Sequence, residues 1–138
     1  MNEDQQAALE TFGKMLTEEV FDRACAYLQA KVTRGMTGTQ EDPMQQAYLS
    51  LDDSAKRVVN RLMFDAVDQT FAQFLNFLEV HEIPLPVVTR QNKCIDVQGL
   101  SDGLPVEPYG DSGWIARFSR FRDGIQTVPG HSRHERMA

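Results

Sequence analysis

Ser112 stands in the string Gly110-Asp111-Ser112-Gly113, and a serine so placed raises the question of nucleophilic chemistry. Such a nucleophile needs a base within hydrogen-bond reach and a third group to orient that base. The chain order supplies His81, then Asp96 or Asp102, then Ser112, so a triad can be spelled. Other residues invite the same question. Asp65 and Asp68 are spaced i, i+3, Asp52 and Asp53 are adjacent, and His131 and His134 are spaced i, i+3 near the C-terminal end.

None of these assembles into a catalytic set. The Gly-Asp-Ser-Gly string is that of trypsin-like serine proteases, whose two β-barrels cannot be drawn from the fewer than roughly 60 residues here with any β character. His81 falls at the end of a predicted helix, where a solvated histidine is the expectation. The sequence therefore reads Gly110–Gly113 as a turn, its glycines permitting unusual φ and Asp111 or Ser112 capping the next element. A helical di-metal site requires inward Glu-x-x-His pairs, which are absent, so Asp65 and Asp68 read as a solvated face. His131 and His134 form at most a weak chelate. No GxGxxG and no GxxxxGK[ST] occurs. The expectation is a chain with no catalytic residue, no metal site and no cofactor.

Arg117, Arg120 and Arg122 interleave with Trp114, Phe118 and Phe121, as on a nucleic-acid surface. The aromatics share one face and the arginines the other, which an ordinary amphipathic element also does. The candidates for recognition lie just before, in the turn-rich stretch 99–113. Asp102, Glu107, Tyr109, Asp111 and Trp114 collect there, and Trp, Tyr and Arg dominate interface hot spots. The competing reading of Tyr109 and Trp114 is that they close the core.

The elements that must position these residues are mainly helical. Leu9, Phe12, Leu16, Val20, Ala24, Leu28 and Val32 recur every three or four residues, predicting a helix from Asp4 to Val32. Thr17 is a candidate cap if that helix breaks near 13–16. Residues 34–43 read as a loop, ending in Asp42-Pro43, a start signal for a short helix over Met44–Leu49. Residues 50–82 predict a long helix capped through Ser50 and Asp53, with Val58, Leu62, Ala66, Phe71, Phe74 (or Leu75) and Leu78 on its core face. Val59, Met63, Val67 and Phe77 widen that face, so the helix should touch neighbours on two sides. Pro84 and Pro86 end it. Residues 87–97 predict a hairpin around Gln91-Asn92. Residues 114–121 predict an aromatic helix, with a strand as alternative, and residues 122–138 a flexible basic tail. The sum is an α+β fold: a long antiparallel helical pair, a small β-hairpin and a C-terminal aromatic element, in one domain over 1–121.

Bulk properties narrow the class. With 138 residues the chain can bury one core without staples. No apolar run reaches the roughly 18 residues that a membrane span requires. An acidic opening, MNEDQQAALE, lacks the basic and apolar regions of a secretory leader, so a cytoplasmic location is expected. Cys25 and Cys94 lie far apart with no CxxC, and are expected to be reduced and buried. The net charge of −6 is uneven: residues 1–82 carry 14 acids and 7 bases, residues 83–138 carry 6 and 7. An acidic body opposes non-specific nucleic-acid binding. It suits a basic protein partner.

The segments AVDQTFAQFLNFLE and LSDGL…YGDSGWIARFS, within residues 50–121, resemble small acidic bacterial α+β proteins, some of them immunity proteins. That resemblance implies a protein-binding role and transfers no catalytic residue. Three functions stand as expectations: a module that docks a protein partner through its acidic surface, a ligand-binding or enzymatic domain using carboxylates of the 99–113 loops, or a homo-oligomer built on the doubly apolar helix 58–78.

Overall fold

The computed structural model describes residues 1–35 and 42–128. Helix α1 (Glu3–Leu16) starts at Asn2, whose side chain accepts from Gln5 N while Gln5 answers to the Asn2 N–H, satisfying two otherwise orphaned donors. It passes through one π-helical turn, Thr17–Phe21, into α2 (Asp22–Arg34) without a break. Thr17 is thus not a cap; its hydroxyl donates to Gly13 O at 2.7 Å. The wider turn advances the register by one residue. Phe21 rather than Val20 enters the core, followed by Cys25 and Val32, while Val20 is exposed.

Helix α3 (Pro43–Leu49) begins as expected, with the Asp42 side chain accepting from Met44 N at 2.9 Å. Helix α4 (Asp53–Val80) is capped by Asp52, which accepts from Ala55 N at 2.8 Å; Ser50 instead donates back to Ala47 O. Its buried row is Asn60, Phe71, Leu75 and Leu78, with Phe64 and Val67 beside it. The expected core positions Val58, Leu62, Ala66 and Phe74 face outward. The two rods lie antiparallel and meet where Phe21 packs edge-on against Phe64 and Phe71, at centroid distances of 5.6 and 5.3 Å.

Strands β1 (Pro86–Val88) and β2 (Cys94–Asp96) pair antiparallel with Val87 opposite Ile95. Asn92 takes a φ of 63° in the intervening turn, a value asparagine tolerates better than most residues. Alternation along β2 points Ile95 inward and Cys94 outward, so Cys94 is exposed rather than buried. Beyond a short 3₁₀ turn (Leu104–Val106), the aromatic element is helix α5 (Trp114–Phe118).

Packing does not stop at 121, beyond which the sequence predicts a flexible tail. Ile125 and Val128 are buried, and Gln29 Nε2 donates to Gln126 O at 3.1 Å. The hydroxyls of Tyr48 and Thr127 and the Asn60 side-chain amide close a hydrogen-bonded triangle. His131, His134 and the middle of the 34–43 loop lie outside the described residues.

Candidate functional site

The turn containing Ser112 is built by backbone geometry alone. Gly110 has a φ of 84°, which glycine adopts without strain. Gly113 is required for space: a Cβ there would come within 2.2 Å of Tyr109 O. Gly113 is also the residue that opens α5, and no side chain caps it, so neither Asp111 nor Ser112 plays the expected part. The first α5 amides are satisfied by the preceding turn, Trp114 N donating to Glu107 O at 3.1 Å and Ile115 N to Pro108 O at 3.0 Å. Ser112 is exposed, and among the described residues its side chain makes no hydrogen bond to a histidine or carboxylate. The His81 ring lies instead against Phe77, 4.8 Å between centroids.

Of the five recognition candidates, Trp114 is withdrawn from the surface. It is 1% exposed, meets Phe12 edge-on at 5.9 Å, and covers Gly13, where a Cβ would strike the indole at 2.3 Å. The core-closing reading is the one that applies to it. Tyr109 shows its ring to solvent but turns its hydroxyl in to donate to Asp68 O at 3.3 Å. Partial burial raises its phenol well above the ordinary value, and Asp68 beside it raises it further. Glu107 is half-buried and accepts from the Ser101 hydroxyl at 2.7 Å, while Asp102 and Asp111 are exposed. The Glu79 carboxylate accepts from Leu104 N at 2.8 Å. The stretch 104–109 is therefore stitched along one flank of α4, at Asp68 and Glu79.

An open cleft of 1180 Å³ runs between α4 and the 108–128 segment, with Arg57, Arg61, Asp65, Asp68, Arg122 and Asp123 among its walls. Asp102, Glu107 and Asp111 are not among them. Asp65 pairs with Arg61 at 3.7 Å, with both side chains largely exposed, so little net energy is at stake. Arg117 pairs with Glu10, and Arg120 reaches toward Asp22, so these arginines bind acids of the first rod. Among the described residues no group of three or more His, Cys, Asp or Glu side chains is placed to hold a metal ion.

Two features were not legible from spacing. Asp22 is buried and accepts from the Ser119 hydroxyl at 2.5 Å and from Arg120 N at 3.0 Å, pinning the end of α5 to the first rod. Near it, burial pushes the Cys25 thiol up to about 12, with the Asp22 and Asp68 carboxylates adding to the effect. The second feature is the outward face of α4. Val58, Leu62, Phe74, Phe77 and Val80 are 59%, 63%, 46%, 51% and 64% exposed. At 100° per residue they fall within less than half of the helix circumference, a contiguous apolar strip with no neighbour in this chain.

No protein-family model matches the chain, and neither does any curated protein or solved structure. The resemblance of residues 50–121 to small bacterial proteins thus has no family behind it. No helix is long and apolar enough to cross a membrane among the described residues.

Proposed function

We propose that this protein is a protein-interaction module whose binding surface centres on the outward face of α4. The observation that carries this reading is the exposure of Val58, Leu62, Phe74, Phe77 and Val80 on one helix of an otherwise closed core. Leaving such a strip in water forgoes roughly 25 cal/mol per Å² of apolar surface, and strips of this kind mark contact sites. The 99–113 stretch contributes the edge of the surface, with Tyr109 and the acids Asp102, Glu107 and Asp111 along the α4 flank. Acidic edges would favour a partner with basic groups around an apolar centre. We place the protein in the cytoplasm, where an exposed unpaired thiol such as Cys94 stays reduced. An immunity or inhibitor role is one form of this activity, in which the partner is an enzyme silenced by the complex.

The test is affinity capture with the full chain beside two variants, Leu62→Glu/Phe77→Glu and Asp102→Ala/Asp111→Ala, at low and high salt. A stoichiometric partner lost with the helix variant, and weakened by salt through the loop variant's carboxylates, is the expected result. Partners captured equally by all three proteins would end this reading.

A further inference from the structure

The α4 face has a symmetry of composition about its own midpoint. Its central row, one residue every three or four, is Val59, Leu62, Ala66, Gln69, Thr70, Gln73, Phe77 and Val80. Every member is exposed except Val59, which is half-buried. About the point between Gln69 and Thr70 the row mirrors itself. Val59 corresponds to Val80, Leu62 to Phe77, Ala66 to Gln73, and Gln69 to Thr70. Bulky apolar side chains stand at both ends, and small or amide-bearing ones in the middle.

From this we infer that the occupant of the face is a second copy of this chain, with the two α4 helices crossing antiparallel at Gln69–Thr70. This rests on the reading of α4 as the binding surface and names its partner. A two-fold axis brings each residue against its mirror position on the other copy. Leu62 then meets Phe77 and Val59 meets Val80, twice each, while Gln69, Thr70 and Gln73 exchange hydrogen bonds at the axis. Charge selects the antiparallel direction. The first half of α4 carries Lys56, Arg57 and Arg61 as well as Asp53, Asp65 and Asp68, and Lys56 lies over the Tyr48 ring. The second half carries no lysine or arginine, only Glu79, with His81 and Glu82 just beyond. The antiparallel arrangement sets the Lys56–Arg61 end beside the other copy's Glu79 and Glu82; a parallel one sets like beside like. The opposed helix dipoles agree with the same choice.

Size sets the strength. At 1.5 Å per residue the helix is about 42 Å long and about 10 Å wide, so each copy offers on the order of 400 Å² of projected face. Two copies with their flanking charges bury about 1,000 Å², at the lower edge of stable interfaces. The dimer should therefore form in the micromolar range.

The experiment is light scattering after size exclusion, with the full chain loaded from about 5 to 200 µM. The expected result is a mass rising from one chain to two. In Leu62→Glu/Phe77→Glu, whose side chains are exposed in the monomer, circular dichroism and thermal midpoint stay the same and association weakens at least about 100-fold. Direction is read by cysteine cross-linking in a Cys94→Ser background with a short bis-maleimide. Thr70→Cys links to its own copy, and Val80→Cys does not, because its mirror partner lies roughly 30 Å along the helix. Linking at both positions overturns the antiparallel pairing. A dimer untouched by the glutamates overturns the whole inference. So does a wild-type chain monomeric at every concentration, and the capture experiment above then decides separately whether α4 binds another protein.

Discussion

Two side chains at the residue scale show how environment overrides residue type. Ser112 has the flanking letters of a nucleophile and none of its partners, and the flanking glycines answer to backbone shape. Ser112→Ala should change stability by less than about 0.5 kcal/mol, as exposed substitutions do, and the native protein should not react with a fluorophosphonate probe. Gly113→Ala should cost at least about 1–3 kcal/mol in urea denaturation, because the added methyl meets the Tyr109 carbonyl. Cys25 is the second case. Buried beside two carboxylates, its thiol holds its proton up to about 12. One thiol of the two, Cys94, should react with a chromogenic disulfide in the native state, and both in urea. The unfolded thiol ionises from about 9.0 upward and the folded one does not, so the native state binds more protons between these values. Stability should therefore fall as pH rises through that window, and fall less in Cys25→Ala.

At the scale of elements, the first helical rod is organised by a single irregular turn. The π-helical segment 17–21 rotates everything after it, bringing Phe21 under α4 and Asp22 to the end of α5. Asp22 then serves three groups at once: the Ser119 hydroxyl, the Arg120 amide and, at 3.9 Å, the Arg120 guanidinium. Ser119 in turn accepts from Phe121 N at 2.8 Å. Asp22→Ala leaves the two buried donors unsatisfied, a loss of about 2–4 kcal/mol. Hydrogen exchange should rise across 119–128 before it rises in α4, since those residues hang from this carboxylate. Uniform acceleration throughout the chain would show instead that Asp22 stabilises the fold as a whole.

For the whole molecule, the balance lies between a closed interior and one open side. Trp114 on Gly13, Phe21 against Phe64 and Phe71, and Ile125 beneath the C-terminal segment complete the core from within the chain. The α4 face is what remains. Burying it against a second copy makes stability depend on protein concentration, because association adds to the folded state by mass action. The thermal midpoint of the wild type should rise with concentration, and that of Leu62→Glu/Phe77→Glu should not. A midpoint independent of concentration in both proteins would count against the dimer.

Local chemistry made much of this fold readable. The Asp42-Pro43 start, the helix over 53–80, the hairpin around Gln91-Asn92 and the helix at 114–118 arise from capping, period and turn preferences, which act within a few residues. Periodicity also marked α4 as apolar on two sides. It could not say which side was the core, since Val58, Leu62 and Phe74 repeat as regularly as Phe64, Phe71 and Leu75, and only packing against Phe21 chose between them. The same holds for Val20 and Phe21, adjacent apolar residues whose roles were settled by one extra residue in a turn. Tyr109 and Trp114 were legible as a pair, yet one reached the surface and the other the core because Gly13 left room for an indole. Asp22, one acid among 20 in the sequence, became the anchor of the C-terminal segment only when folding brought Ser119 beside it. Sequence determines which residues tend to share a face, because that depends on near neighbours. Which face is covered, and by what, depends on contacts almost a hundred residues apart, and those exist only in the tertiary structure.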